Sequence, residues 1–344
     1  MGCNACGNVE KEAQISFPPS DGLKSSFLDF QSLFNNNLEN FGEYCSNDDF
    51  ESIIPNNIQN YMSKYPLKNK QKNNKESSVY EIKPIKFKNG NLYKGKWNKD
   101  LKMEGPGLYY LKEDKIFAEG NWDNGECKFA RVFLPNGDIY EGEIKDSKYN
   151  GKGKLILNDA EYEGLFENGE FKNGKLKWNN GYEYEGDFNG FCLNGKGKLI
   201  NNEGDSYEGD FVNNLFHGNG IYKYSKSHDV YEGEFQYGMK KGKGKYIAQD
   251  KYIYDGNWDN DMPFGYGKLS NWDETCTLKC TFRDGKIAEE PIYITGSKEI
   301  INPDTFDFKQ EGMKLNVKSL SHINIPENET TQFQLGIRSF LSDE

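Results

Sequence analysis

The chain of 344 residues carries a net charge of −11 and is 15% aromatic. Such an acidic molecule is poorly suited to nucleic acid, because binding to phosphates depends on basic surface. Its seven cysteines have no regular spacing and indicate reduced thiols in the cytoplasm, and no apolar run reaches the roughly 18 residues that a transmembrane helix needs.

Residues 1–20 carry an acylation signal. Gly2 directly follows the initiator methionine, as N-myristoylation requires, and Cys3 and Cys6 lie beside it as acceptors for palmitate. The usual signal has Ser or Thr where this chain has Cys6. Because one acyl chain binds a membrane only weakly, stable attachment is expected to need a second chain on Cys3 or Cys6. The alternative is a frayed terminus with two unmodified cysteines.

An amphipathic helix is predicted over residues 21–44, within a helical region 21–63. Its apolar side chains recur at helical spacing, and they are Leu23, Phe27, Phe30, Phe34, Leu38 and Phe41. The polar face carries Asp29 and Glu39 and is predominantly acidic, which disfavours an anionic membrane. We therefore expect the helix to pack on protein.

A linker rich in Lys and Asn is predicted over residues 64–79. Basic runs without acids, set among Asn, Gln and Ser, are typical of flexible solvated segments. Contact of its lysines with acidic lipid headgroups is the alternative.

A five-residue pattern then recurs within residues 80–285: Tyr, any residue, Gly, any residue and an aromatic residue. Copies begin at steps of 22 to 25 residues, and a weaker copy starts at Ala118. The residues that define the pattern are Tyr93, Gly95, Trp97, Tyr140, Gly142, Tyr162, Gly164, Phe166, Tyr184, Gly186, Phe188, Tyr207, Gly209, Phe211, Tyr231, Gly233, Phe235, Tyr254, Gly256 and Trp258. A period of this length indicates a repeat architecture.

Each copy predicts a strand with Tyr, Gly and the aromatic residue on one face and charged residues on the other. Glycine weakens the interior of a strand, so its recurrence indicates a close approach by another group, which we expect to be an aromatic ring from a neighbouring strand. Most copies are followed by Gly-x-Gly and a second short strand. Each unit is therefore predicted to be a β-hairpin, and stacked hairpins bury a continuous aromatic face.

These units resemble the MORN (membrane occupation and recognition nexus) repeat, whose pattern is Tyr-x-Gly-x-Trp/Phe, then Asn-Gly, then Gly-x-Gly. The resemblance covers about 200 residues, in about eight units. It implies an all-β fold: an elongated array of antiparallel hairpins in a single meandering sheet, here with a partly helical or disordered N-terminal region. A degenerate ninth copy at 278–282 is expected to be a cap, since terminal repeats are atypical.

Charged residues of the array alternate by strand. The first strand of each unit exposes acids and the second exposes lysines, as in Glu185 and Lys198. Antiparallel neighbours then place opposite charges across from each other, which adds a few tenths of a kcal/mol for each pair. This pairing makes a lipid-headgroup groove on the array less favourable.

The C-terminal extension, residues 286–344, contains no repeat, although 292–294 predict an added strand. The near match to a P-loop at 190–197 lacks the Ser or Thr that binds Mg²⁺. Cys276 and Cys280 have no second pair to complete a zinc site. We therefore expect no catalytic residue, no cofactor, no metal ion and no small-molecule substrate.

Three functions remain open. The first is a non-enzymatic scaffold, tethered to the cytoplasmic face of a membrane by acylation, that binds protein partners through an extended sheet. The resemblance implies sites such as the cell cortex, cilium or flagellum. The second is a soluble structural subunit of a ciliary or cytoskeletal assembly, similar to radial-spoke-head proteins. The third is a phosphoinositide-binding module.

Overall fold

The computed structural model of the protein describes residues 43–67 and 79–296. Two helices, α1 (Asn47–Ile53) and α2 (Asn56–Lys64), precede the main sheet. The Ser46 hydroxyl caps α1 by accepting a hydrogen bond from the backbone of Asp49, and Pro55 separates the two helices. The remaining elements are strands of one antiparallel sheet, so the predicted all-β meander is correct.

The sheet has 22 strands. They are β1 (Glu43–Tyr44), β2 (Tyr80–Glu81), β3 (Ile85–Lys86), β4 (Leu92–Trp97), β5 (Met103–Leu111), β6 (Ile116–Asp123), β7 (Glu126–Phe133), β8 (Ile139–Lys145), β9 (Lys148–Ile156), β10 (Ala160–Glu167), β11 (Glu170–Trp178), β12 (Glu183–Asn189), β13 (Cys192–Ile200), β14 (Ser206–Val212), β15 (Leu215–Lys223), β16 (Val230–Gln236), β17 (Met239–Ala248), β18 (Tyr252–Asp259), β19 (Met262–Asn271), β20 (Thr277–Arg283), β21 (Lys286–Ile287) and β22 (Ile292–Thr295).

From β4 to β20 every strand pairs with the next one in the chain, so the strands form successive hairpins. Each end of this meander is bordered by two short strands. β2 and β3 pair with β4, whereas β21 and β22 pair with β20. The strand predicted at 292–294 is thus present as β22, and the sheet continues beyond the predicted array end at residue 285.

The predicted helix over 21–44 is wrong at its last two residues. Glu43 and Tyr44 form β1, which pairs with β3, and the Cys45 amide donates to the Pro84 carbonyl at 2.9 Å. β3 has one edge without a partner strand, and residues 43–44 pair with that edge as a strand instead of continuing a helix. The rest of that predicted helix and the acylation signal lie outside the described residues, as do 68–78 of the linker and 297–344 of the extension.

A line of glycines crosses the sheet at right angles to the strands. In most hairpins the repeat glycine pairs with the second glycine of Gly-x-Gly on the partner strand, as Gly209 does with Gly220. That glycine pairs in turn with the repeat glycine of the next hairpin, Gly233. The line runs from β4 to β19 and is broken once, at Ala130 of the weaker unit.

The tyrosine of each repeat lies over this glycine pair. A Cβ on Gly209 would come within 2.5 Å of the Tyr207 hydroxyl and 2.6 Å of the Gly220 Cα. A register shift follows Gly209, and the Tyr207 hydroxyl donates to the Asp210 carbonyl at 2.9 Å. The same bond, from the tyrosine to the carbonyl three residues later, occurs at Tyr93, Tyr140, Tyr184, Tyr231 and Tyr254.

The covering ring therefore belongs to the same strand as the glycine, two residues earlier, and the expectation of a ring from a neighbouring strand is wrong in these units. The bulge after the glycine bends the strand, so the tyrosine side chain lies along its own backbone. The fourth hairpin is the exception. There Phe171, on the partner strand, would lie 3.0 Å from a Cβ on Gly164.

Edge-on aromatic contacts join one unit to the next. The Tyr207 ring lies 5.1 Å from Phe211 of its own strand and 5.0 Å from Phe235 of the following hairpin, both nearly perpendicular. Tyr184 contacts Phe211 in the same way, at 5.1 Å. Such edge-to-face pairs add about 0.5–1.5 kcal/mol each beyond burial of apolar area. They form one aromatic core along the array.

A second contact between units lies at the turns. Asp205 accepts hydrogen bonds from the Tyr222 hydroxyl at 3.3 Å and the Ser225 amide at 2.7 Å, both in the next hairpin. Asp229 repeats this with the Tyr246 hydroxyl at 2.7 Å. Because buried hydroxyls need a partner, the turn carboxylate is what allows tyrosine instead of leucine on these second strands.

We expect Gly209→Ala to destabilise the array much more than Gly190→Ala. At Gly209 a methyl group would overlap both the Tyr207 ring and the backbone of Gly220, at a cost on the order of 3 kcal/mol. Gly190 has a φ of +63° and no atom within 4 Å of a Cβ, so only backbone strain of about 1–2 kcal/mol applies. Thermal unfolding followed by circular dichroism measures both, and equal small shifts in Tm would contradict the close packing at Gly209.

Candidate protein-binding surface

The residues that define the repeats are core residues. All seven repeat tyrosines from Tyr93 to Tyr254 are buried, as are the aromatic residues that follow them. We call the face that carries them the inner face and the opposite face the outer face. Since the inner side chains are enclosed within the array, a partner must contact the outer face, the turns or the sheet ends. Gly2, Cys3 and Cys6 lie outside the described residues.

The outer face carries alternating charges beside the glycine line. One row, read across the sheet from β8 to β18, is Glu141, Lys154, Glu163, Lys175, Glu185, Lys198, Glu208, Ile221, Glu232, Lys245 and Asp255. The predicted pairing of opposite charges is confirmed by this register. Lys175 and Glu185 approach to 3.4 Å, but both are largely exposed, so each pair contributes little stability.

The helices cover the N-terminal part of the outer face. Phe50 of α1 and Ile54, directly after it, are buried in a cluster with Leu92, Phe117 and Phe133 of the sheet. This apolar cluster is separate from the aromatic core. The repeat pattern did not predict it. The predicted helical region 21–63 contains α1 and all of α2 except its last residue, Lys64.

Arg131 links the C-terminal end of α2 to the sheet. Its guanidinium is only 3% exposed and lies 2.6 Å from Glu141 and 3.3 Å from Glu119. It also donates to the Tyr65 carbonyl and lies 5.5 Å from the centre of the Tyr61 ring. A buried cation needs such complete pairing, and burial raises the pKa of the Glu119 carboxyl. The repeat pattern did not predict this contact, and its only signal in the sequence is an arginine at a position where five other units have lysine.

The C-terminal end of the outer face carries a shallow groove, which we call the C-terminal groove. It runs over Gly256 and Gly267 of the glycine line. Its side chains come from β17 to β20 and from the loop before β22, and they include Lys243, Asn257, Tyr266, Lys268, Lys279 and Thr281. Tyr266 is 78% exposed and is the most exposed large hydrophobic residue in the part of the chain that the structure describes.

Lys240 is a charged residue on the inner face. It is fully buried and pairs with Phe235, at the position where the hairpin of Phe211 has Phe216. Its ammonium donates to the Tyr224 hydroxyl at 2.9 Å and lies 5.1 Å from the centres of the Tyr231 ring and of two further rings. Burial lowers the pKa of Lys240 to about 8, against the opposing effect of two nearby aspartates.

Within the described ranges no group of His, Cys, Asp and Glu side chains is arranged to hold a metal ion. Burial raises the pKa of the Cys127 and Cys280 thiols to about 12, which makes both poor nucleophiles. No helix among residues 43–67 and 79–296 is long and apolar enough to cross a membrane.

The fold is a linear array of hairpins with a closed core and an accessible outer face, which defines a repeat-type scaffold. The family model of the MORN repeat matches residues 140–159, 207–228, 231–251 and 254–273. These are four of the hairpins described above, so the chain contains MORN repeats. MORN repeats indicate a repeat scaffold or protein-binding module.

No curated protein matches the chain. Among solved structures it is similar to the TCP domain of SAS-4 (dCPAP) from Drosophila melanogaster, in complex with a proline-rich motif of Ana2 (dSTIL), at 10% identity and a TM-score of 0.23, covering 54% of this chain and 86% of that one. It is also similar to the G-box domain of the microcephaly protein CPAP, at 11% identity and a TM-score of 0.17, covering 58% and 86%. Similarity at these TM-scores carries no argument about function.

We expect Lys240→Met to stabilise the protein. Below pH 8 the folded chain holds a buried charge, and replacing it with an apolar side chain of similar length should add about 1–3 kcal/mol. Between pH 8 and the ordinary lysine value near ~10.4, the unfolded chain binds a proton that the folded chain has lost. The stability of the wild type therefore rises with pH in this window, and the advantage of the variant shrinks.

Denaturant unfolding of both proteins between pH 7 and pH 10 measures this difference. Lys241→Met is the matched control, because the Lys241 side chain is 49% exposed and its loss should change stability by less than about 0.5 kcal/mol. A Lys240→Met variant that is less stable than the wild type at pH 7 would mean that the aromatic rings favour the charged form.

Proposed function

We propose that the protein is a non-enzymatic scaffold, held at the cytoplasmic face of a membrane by acyl chains on its N-terminus. The array binds protein partners through the outer face of its sheet. The observation that carries the binding role is the division between the two faces. The inner aromatic residues are buried within the array, whereas beyond α1 and α2 the outer side chains are exposed, including Phe264 and Tyr266.

The tether rests on Gly2, Cys3 and Cys6, and the fold supports an end-on attachment. The chain enters the sheet at β1, which pairs with β3 at the N-terminal edge. From β4 to β20 the sheet extends on the order of 75 Å, at about 4.8 Å for each strand. A membrane anchor before residue 43 would leave the C-terminal hairpins at the far end, available to a partner away from the bilayer.

The alternatives are a soluble structural subunit of a ciliary or cytoskeletal assembly and a phosphoinositide-binding module. The first differs in leaving Cys3 and Cys6 unmodified. The second is disfavoured by the alternating outer charges, because the outer-row lysines Lys154, Lys175 and Lys198 each face acids on both neighbouring strands.

The tether is tested by fractionation of the wild type, of Gly2→Ala and of Cys3→Ser combined with Cys6→Ser. Gly2→Ala replaces the glycine whose α-amine accepts myristate and should abolish membrane association. The double cysteine variant retains one chain, with a partition constant of about 10⁴ M⁻¹, and should bind weakly and reversibly. Repeating the fractionation at raised salt screens any contribution from the lysines of the linker.

An alkyne-myristate label reports the modification directly. If the wild type takes no label and stays in the soluble fraction, the tether is excluded and the structural-subunit alternative is favoured. Vesicles containing phosphoinositide, mixed with the full chain carrying Gly2→Ala, test the lipid-binding alternative. We expect no binding at physiological salt, and tight, salt-sensitive binding would instead support that alternative.

A further inference from the structure

We propose that the C-terminal groove binds an extended acidic segment of a partner protein, one that carries aromatic or aliphatic side chains between its carboxylates. This inference rests on the proposed scaffold function and adds to it the site and the chemistry of the partner. Three observations on the last complete hairpin carry it, and the first two are departures from the other units.

The first departure is the replacement of polar residues by aromatic ones. The middle residue of Gly-x-Gly is Lys196, Asn219 and Lys243 in earlier hairpins and Tyr266 in β19, where the side chain is 78% exposed. Two residues before it, at the position of Lys241, β19 has Phe264, which is 54% exposed. Exposed aromatic side chains are enriched where proteins bind one another, since they supply large contact area at low entropic cost.

The second departure is a break in the charge alternation. In the outer row Asp255 lies opposite Lys268, and Lys268 lies opposite Lys279. Like charges directly opposite each other destabilise a sheet. In the described ranges neither Lys268 nor Lys279 forms an ion pair, whereas Lys175 and Lys198 of the same row do. A carboxylate of an acidic ligand, placed beside Lys268 and Lys279, would reduce the repulsion between these two lysines.

The third observation concerns the carboxylates of the groove. Asp255 lies between Lys245 and Lys268, and Glu289 accepts a hydrogen bond from the Thr281 hydroxyl at 3.1 Å. Glu290 also lines the groove. These acids disfavour a flat anionic surface as the ligand. Such a surface would contact the acids together with the lysines, and the acids would repel it. A single extended segment can bring its carboxylates to Lys268 and Lys279 alone, so a polypeptide fits better than a bilayer.

The shape of the groove also fits an extended chain. Its floor is the backbone of Gly256 and Gly267, and side chains rise on both sides, Tyr266 on one and Lys268 on the other. A segment lying along the floor alternates its side chains between the two walls. Carboxylates would then face the lysines while apolar side chains pack on Tyr266.

The test uses the full chain and three fluorescein-labelled peptides of twelve residues, measured by fluorescence anisotropy. One alternates Glu with Phe, one Glu with Ser and one Lys with Phe. We expect the Glu-Phe peptide to bind, the Glu-Ser peptide to bind more weakly and the Lys-Phe peptide not to bind. Lys268→Glu with Lys279→Glu should weaken the Glu-Phe peptide by at least about tenfold, equivalent to about 1.4 kcal/mol, and Tyr266→Asn should weaken it as well.

The matched control is Lys175→Glu with Lys198→Glu, which changes the net charge equally in the middle of the same row. It should leave binding of the Glu-Phe peptide unchanged. Equal losses in both double variants, or no binding by the wild type, would overturn the proposal. So would wild-type binding to phosphatidylcholine vesicles with phosphoinositide that only the Lys268 and Lys279 changes remove, because the groove would then be a lipid site.

These outcomes are separate from those of the scaffold hypothesis. The tether is decided by myristate labelling and fractionation, which do not involve the groove. A failure of the groove variants to alter peptide binding would leave the scaffold function standing with its partner bound elsewhere.

Discussion

The ring of each repeat tyrosine occupies the space that two facing glycines leave free, and the rest of the array depends on this contact. Glycine is required on both strands of the hairpin, since a Cβ on Gly186 or Gly197 would lie 2.5 Å or less from Tyr184. The tyrosine hydroxyl is then satisfied by the carbonyl that the following bulge exposes, at 2.9 Å for Tyr184. One interaction thus sets the spacing of the pattern, the bend of the strand and the inward direction of the ring.

That inward direction determines where the array can act. The rings pack edge-on against the next unit, as Tyr254 does against Phe282 of β20 at 5.0 Å. Contacts between units therefore bury the aromatic side chains of the inner face. Only the outer face and the two ends differ from one unit to another. At the N-terminal end α1, α2 and Arg131 cover the outer face, whereas the C-terminal groove is open. The two ends are therefore suited to different tasks.

The repeat pattern predicted the strands, the hairpins and the buried set, because Tyr, Gly and aromatic residues alternate with charges over most of the array. It did not predict which strand supplies the ring over the glycine, since the bulge that decides this has no separate signal in the sequence. Arg131 and Phe50 were also missed, as their contacts join segments far apart in the chain. Phe264, Tyr266 and Lys240 were visible as departures from the repeat, but only in a residue-by-residue comparison of the units.

These departures are tolerated because each unit contacts only its neighbours, so stability is roughly a sum over units and their interfaces. The weaker second hairpin shows what such a departure costs in hydrogen bonds. The Trp122 indole and the Asn121 side-chain oxygen are buried there without a hydrogen-bond partner among the described residues, whereas the Trp258 indole, at the same place in the last complete hairpin, donates to the Gly244 carbonyl at 2.9 Å. A loss of this kind stays local, and the intact hairpins on either side hold the sheet together.

The same independence lets one hairpin keep a buried lysine and another expose two aromatic rings. A linear array can therefore acquire a binding site in a single unit without redesigning its core.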